Sequence, residues 1–170
     1  MKSFREIVLE EYHRSIRDLN LSGIQDKVNI IPCDIIPKHK KFIGSHEIIG
    51  DKHYIYISRA QCFYVYVFGE YDDKLTWTEE RNLEEVVCSV VRHEMRHVWQ
   101  HTILGEEYVK EIQTSFSGYG DELLVYYLQK NIFELDAREY QYADDFKRGL
   151  MISEDGMRLF YEKCRPYFFD

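Results

Sequence analysis

The sequence predicts an α+β fold in a single domain spanning residues 1–170. Three observations predict it: an amphipathic helical pattern at the N-terminus, short β-rich runs between residues 28 and 68, and helical periodicity over most of the remainder. Strands and helices hardly alternate, which favours a small mixed or antiparallel sheet over a parallel one. A chain of 170 residues is long enough to bury a hydrophobic core of its own.

The N-terminal segment is predicted to form a helix from Ser3 to Asn20. Its mostly apolar residues recur at intervals of three and four: Phe4, Ile7, Val8, Glu11, Tyr12, Ile16 and Leu19. The segment is charged throughout and lacks the apolar centre of a secretory signal. The four cysteines are widely spaced and form no C-x-x-C pair. We therefore expect reduced thiols and a cytoplasmic location.

Three β-rich runs follow. Val28 to Pro32 is the first predicted strand. Glu47–Ile49 and His53–Ser58 flank a short loop with glycine, which is typical of a hairpin. The run from Gln61 to Phe68 alternates aromatic and β-branched residues and is interpreted as a third β segment.

A long buried helix is predicted from Glu79 to about Thr102. Thr76 and Glu79 fit a capping box, and Gly105 suits a helix C-terminus. Between them, apolar residues repeat at helical spacing: Leu83, Val86, Val87, Val90, Val91, Met95 and Val98. Helical periodicity continues after Gly105 in several C-terminal segments.

The segment His93–His97 reads His-Glu-Met-Arg-His and lies in the last turns of that helix. Residues four apart share a helix face, so both imidazoles can bind one ion at about 2.0–2.1 Å, as zinc requires. Glu94 is rotated away from the line that joins the two histidines on the helix. It can therefore act as general base towards a water molecule activated by the metal. His101 stands about 12 Å along the axis from His93, too far to share the ion. Cys88 points away from this face and is expected to pack.

A catalytic zinc site needs a third protein ligand and one open position. Glu134-Leu135-Asp136-Ala137 resembles the E-x-x-A pattern of gluzincin-type metallopeptidases, whose third ligand is a glutamate on a second helix. A small residue one turn beyond the ligand lets the two helices approach closely. Helical phase favours Glu134 as the ligand. Asp136 remains open as an alternative ligand or as a residue that supports one.

The order of helix, small sheet, HExxH helix and acidic helix is similar to the compact minigluzincins and to the ImmA/IrrE-like group. The resemblance covers roughly Val28 to Phe146 and implies a zincin-like fold, in which an edge strand such as His53–Ser58 aligns an extended substrate. The chain departs from these families at Arg138, where they carry aspartate or asparagine to support a zinc histidine. Asp136 and Asp144 are the candidates for that supporting role.

A tyrosine often donates a hydrogen bond to the developing oxyanion in such enzymes. Tyr140 is the candidate here, with Tyr119 and Tyr126 as alternatives. Most of the 14 tyrosines are expected in the core or at its rim.

The resulting hypothesis is a zinc-dependent metallopeptidase acting on a protein or peptide substrate. An alternative from another class is a zinc-binding regulatory or interaction module with weak or latent peptidase activity, for which the aromatic run Cys62–Phe68 offers a surface. A third is that the histidine pattern is coincidental and binds no metal. The net charge of -8 argues against nucleic-acid binding. No run approaches the roughly 18–20 apolar residues that span a membrane.

Overall fold

The computed structural model describes residues 2–68, 82–105, 133, 134, 136, 137 and 140. The chain divides into two compact units, residues 1–95 and 96–170. The first unit holds the N-terminal helix, the sheet and the first part of the HExxH helix. The second holds the end of that helix and the described helical residues from 133 to 140. The predicted α+β class is confirmed, and the sheet is a mixed one.

Helix α1 spans Phe4–Asp18, close to the predicted bounds. It begins with a capping box, in which the Ser3 hydroxyl accepts from the Glu6 backbone N–H and the Glu6 carboxylate accepts from the Ser3 N–H. Its apolar face is buried as the periodicity predicts. The Tyr12 hydroxyl donates to the Val28 carbonyl at 3.1 Å and so joins α1 to the first strand.

The sheet contains strands β1 (Val28–Cys33), β2 (Gly44–Ile49) and β3 (Lys52–Ser58) in the order β1-β3-β2. β1 runs parallel to β3, whereas β2 pairs with β3 as the predicted antiparallel hairpin. Gly50 occupies the hairpin loop with φ of 64°, a conformation that glycine adopts at little cost.

The prediction that His53–Ser58 is an edge strand is wrong, because β3 lies between β1 and β2. The physical reason is burial: Ile55 and Ile57 of β3 are fully buried, as suits a central strand. β2, which contains Gly44 and His46, lies at one edge of the described sheet. Its residues are half-buried or exposed.

The third predicted β run is also wrong, because residues Arg59–Phe68 form helix α2. The Ser58 hydroxyl accepts from the Gln61 backbone N–H at 3.3 Å, which caps the start of this helix. Cys62 and Val65, three residues apart, are buried on one face. Four other residues of the run that favour a strand are exposed: Phe63, Tyr64, Tyr66 and Val67. The helix cap and the burial of Cys62 and Val65 therefore outweigh the β preference of the run.

Helix α3 spans Leu83–Leu104 and carries the HExxH segment. It begins at Leu83 rather than at Glu79, because Asn82 caps it: the Asn82 side chain accepts from the Glu85 N–H at 2.9 Å, and the Glu85 carboxylate accepts from the Asn82 N–H. The predicted Thr76 cap lies outside the described residues. Gly105 ends the helix with φ of 58°, as predicted.

The buried face of α3 is the one that the periodicity predicts. Its buried apolar residues are Val86, Val87, Val90, Val91, Met95 and Val98. None of the described helices is long and apolar enough to cross a membrane. The predicted helices around residues 108–128 and 153–164 lie outside the described part of the chain.

The thiols of Cys33, Cys62 and Cys88 are free. Burial raises the pKa of both Cys62 and Cys88 to about 12. Because the thiolate is the nucleophilic form, these two groups are poor nucleophiles at neutral pH. This agrees with the packing role expected for Cys88.

Candidate metal centre

His93 and His97 lie one turn apart on α3, so the helix alone brings their rings to the same face. His97 is buried with 6% of its surface exposed, and His93 is half-buried. Glu94 is also buried, at 6% exposure, although it is a carboxylic acid on an otherwise valine-rich helix. Buried polar groups such as His97 and Glu94 need polar partners, and half-buried His93 lies on the same helix beside them.

Glu134 joins the two histidines. Its Oε1 lies 3.2 Å from His97 Nε2, and one ligand atom each from His93, His97 and Glu134 all lie within 4.8 Å of one another. Two ligands at about 2.0–2.1 Å from a tetrahedral ion stand roughly 3.3 Å apart. The spacing of His97 and Glu134 therefore suits a shared cation. These residues form a group that can hold a metal ion.

Gln100 fixes the orientation of the His97 ring. His97 Nδ1 lies 2.8 Å from Gln100 Oε1. The amide nitrogen of Gln100 donates to the Phe133 carbonyl at 2.9 Å and to Asp136 Oδ2 at 2.6 Å. Both amide donors are therefore used, which leaves Oε1 as the acceptor facing His97. An acceptor at this place favours the tautomer with the proton on Nδ1. That tautomer leaves Nε2, which lies 3.2 Å from Glu134 Oε1, to bind a cation.

Asp136 does not belong to the group of possible metal ligands. Its two oxygens accept from Arg96 Nε at 2.8 Å and from Arg96 Nη2 at 3.1 Å, a bidentate pair. Both side chains are almost fully buried. The structure thus separates the two acids: Glu134 lies with the histidines, and Asp136 supports His97 indirectly through Gln100. The candidate Asp144 lies outside the described residues.

Arg96 occupies the middle position of this buried arrangement. Its guanidinium carbon lies 3.6 Å from the centre of the Trp99 ring and 5.4 Å from that of Tyr140. Aromatic faces stabilise a cation held over them. Tyr140 is buried at 3% exposure beside Arg96. Its assignment as oxyanion donor stays a prediction, and Tyr119 and Tyr126 lie outside the described residues.

Two further sequence expectations concern the neighbours of the group. His101 is not among the possible ligands within the described residues. It is half-buried at the end of α3, and burial lowers its pKa. Ala137 is fully buried one turn after Glu134, which agrees with the need for a small residue at that place.

Sequence reasoning missed Gln100. The signal was present, since Gln100 follows His97 by three residues and therefore lies on the same helix face. An amide at that spacing is a suitable partner for the second ring nitrogen of a metal-binding histidine.

We predict that Gln100→Met lowers the affinity of the group for a divalent metal ion by about 10- to 100-fold. Methionine keeps the length of the side chain but removes the acceptor that holds the proton on His97 Nδ1. Competition with a chromophoric chelator measures the change. The matched control is Gln61→Met on α2, where the glutamine donates to the Lys40 carbonyl at an exposed position. Equal affinities for both variants would refute a role for Gln100.

The chain was compared with protein families, curated proteins and solved structures. No protein family, curated protein or solved structure matches the chain. The likeness to compact gluzincins therefore depends on the sequence pattern, and the assignment of function depends on the geometry of the site.

Proposed function

We propose that this protein is a zinc-dependent metallopeptidase with a zincin-like fold in a single domain. His93, His97 and Glu134 hold the zinc ion, and Glu94 is the general base. One observation carries the proposal: two imidazole nitrogens and a carboxylate oxygen lie within 4.8 Å of one another, and the same helix carries a buried glutamate beside the first histidine.

The donor set suits zinc. Imidazole nitrogen and carboxylate oxygen are common zinc ligands, and two histidines with one glutamate form a known catalytic set that leaves a fourth position open. Two neutral imidazoles and one carboxylate leave a net positive charge at a zinc site. That charge favours an electrophilic role for the ion rather than a purely structural one.

The residues divide the chemical work between them. Zinc, when bound, supplies a Lewis acid that activates water and polarises the peptide carbonyl. The Glu94 carboxylate accepts the proton of the attacking water and delivers it to the leaving amine. Gln100 keeps His97 in the tautomer that presents Nε2, while Arg96 holds Asp136 against Gln100. Burial of Glu94 limits its contact with bulk water.

The sheet supports a peptide as the substrate. β2 pairs with β3 along one side, and none of the described strands pairs with its other side. An extended peptide can add to such an edge through main-chain hydrogen bonds. Gly44 at the start of β2 lies against Glu94, so this edge reaches the proposed base. The substrate-aligning role that the sequence assigns to His53–Ser58 is therefore proposed for β2. We propose no nucleic-acid or membrane partner.

A zinc-binding regulatory or interaction module is the second candidate. It is favoured by the exposed apolar face of α2. Large hydrophobic side chains on this helix are exposed by 45% to 55%: Phe63, Tyr64, Tyr66 and Val67. Exposed apolar residues grouped on one element are typical of an interaction surface. Under this alternative, the protein binds zinc without cleaving general peptide substrates.

Metal analysis and a cleavage assay test the proposal together. We expect protein purified without a histidine tag to contain about one zinc ion per chain, because the site has three protein ligands. Cleavage of casein or a peptide library should stop on chelation and return with added zinc. Glu134→Ala should lose the metal, whereas the control Glu84→Ala, exposed on α3, should keep it.

The outcomes separate the three hypotheses. Zinc with chelator-sensitive cleavage supports the peptidase. Stoichiometric zinc without cleavage favours the regulatory module. Equal metal content in wild type, Glu134→Ala and Glu84→Ala would show that these residues do not form the site.

A further inference from the structure

Gly44 is the first residue of β2 and faces helix α3. A methyl group placed on its Cα would stand 2.5 Å from Glu94 Oε1, 2.9 Å from Glu94 Cγ and 2.9 Å from Val90 Cγ1. Nonbonded carbon atoms prefer about 3.5–4.0 Å. No side chain other than hydrogen therefore fits at position 44 while Glu94 keeps its place.

The backbone conformation does not explain the glycine. Within the described residues, the glycines with positive φ are Gly50 and Gly105, and Gly44 is not one of them. Gly44 pairs with Ile57 in the regular register of β2 and β3, a conformation that any residue can adopt. The constraint at this position is thus one of space, and the atoms that impose it belong mainly to Glu94.

The three neighbouring atoms differ in how easily they can move. Val90 is β-branched and lies on the buried apolar face of α3 at 3% exposure. Its methyl group therefore has little freedom to rotate away. The Glu94 carboxylate is the end of a flexible side chain. A side chain at position 44 would consequently be accommodated by movement of the carboxylate more readily than by movement of the helix or the strand.

We propose that Gly44 is a positioning residue for Glu94: by lacking a side chain, it lets β2 contact the carboxylate and confine it to one location. This inference rests on the proposed function, since it gives the base a fixed position relative to the reacting water. A displacement of about 1 Å in a catalytic group can lower the rate by about 100-fold. The glycine therefore affects turnover through Glu94.

The test compares Gly44→Ala with the matched variant Gly23→Ala. Gly23 lies in the short 3₁₀ helix Ser22–Lys27, and a methyl group there meets nothing within 4 Å. We expect Gly44→Ala to lower kcat by about 10- to 100-fold, with zinc content and KM close to wild type. Its melting temperature should fall by roughly 2–10 °C, as for overpacking of one methyl group. Gly23→Ala should change neither kcat nor the melting temperature.

A double-mutant cycle separates positioning from a general loss of structure. In a Glu94→Gln background, Gly44→Ala should lower the residual kcat by about twofold or less, because the group it displaces no longer acts as the base. A loss as large as in the wild-type background would overturn the inference, as would wild-type kcat in Gly44→Ala itself.

A crystal structure of metal-free Gly44→Ala gives a readout that needs neither metal nor turnover. We expect the Glu94 carboxylate to be displaced by about 1 Å or more, with the pairing of residue 44 to Ile57 retained. A carboxylate in its wild-type position would overturn the inference even if the peptidase activity is real. A displaced carboxylate in a protein without zinc-dependent cleavage would support the geometry and refute the proposed function instead.

If Gly44→Ala does not fold, the same structural measurement is made on Gly44→Ala/Val90→Ala. Removal of the Val90 methyl groups opens space on one side of the new Cβ, while the overlap with the Glu94 carboxylate remains. The carboxylate is again expected to move, and its wild-type position in this variant would contradict the proposal.

Discussion

Glu94→Gln is expected to keep the zinc content of the wild type and to lower kcat by about 10²- to 10⁴-fold, the range typical of a lost general base. Glutamine has nearly the same size and shape as glutamate, so the packing around this buried position is preserved. Its amide cannot accept the proton of the attacking water. The expected separation of metal binding from turnover follows from the assignment of Glu94 as base rather than ligand.

Zinc content by mass spectrometry and steady-state cleavage of a reporter peptide measure the two quantities. The matched control is Glu84→Gln. Glu84 lies on the same helix, is exposed and pairs with Lys2. That variant should retain wild-type kcat and zinc. Full activity in Glu94→Gln would exclude Glu94 as the base, and loss of zinc would show that it takes part in binding the metal.

Asp136→Ala is expected to lower the free energy of unfolding by about 3–5 kcal/mol, because it leaves the Arg96 guanidinium buried without its carboxylate. Arg96 and Asp136 are both close to 2% exposed, so water cannot replace the lost partner. The same change removes one of the two acceptors of the Gln100 amide, the other being the Phe133 carbonyl. The loss should therefore be among the largest for any single substitution outside the apolar core.

Urea unfolding of the metal-free protein measures this effect apart from any contribution of zinc binding. A natural control exists in the exposed pair of Arg59 and Asp34, whose Nη2 and Oδ1 atoms lie 2.9 Å apart with side chains 64% and 77% exposed. Asp34→Ala should cost at most about 1 kcal/mol. Equal losses for the two aspartates would contradict the buried role of Asp136. The apolar double variant Arg96→Met/Asp136→Leu should recover much of the stability, because it leaves no unpaired charge.

The elements that the sequence predicts well are those defined by local signals. α1 follows from its apolar spacing, and the hairpin follows from the glycine between two β-rich runs. The end of α3 follows from Gly105. In each case the deciding interaction lies within about four residues, so the sequence contains all of it.

The errors occur where nonlocal packing or a second local signal decides. The run from Gln61 to Phe68 has a strong β preference. It nevertheless forms a helix, because the Ser58 hydroxyl caps the helix start and one helix face buries Cys62 and Val65. The order of strands depends on contacts between distant segments, so the sequence pattern alone does not distinguish β2 from β3 as the edge strand. The start of α3 depends on a choice between two caps, Thr76 and Asn82.

The candidate site divides in the same way. His93 and His97 are positioned by helical spacing alone, and the sequence is enough to group them. The preference for Glu134 over Asp136 depends on helical phase, and the structure places Glu134 with the histidines because Asp136 is engaged by Arg96. Gln100 and Gly44 act through contacts that a one-dimensional pattern does not display, although Gln100 is accessible from its spacing.

The most direct test of the metal site is anomalous diffraction at the zinc absorption edge from crystals of the zinc-loaded protein. We predict one peak at which His93, His97 and Glu134 converge, with nitrogen ligands at about 2.0–2.1 Å and a Glu134 oxygen at about 2.0–2.2 Å. A peak bound by other side chains, or the two imidazoles turned apart with no ion between them, would contradict the account.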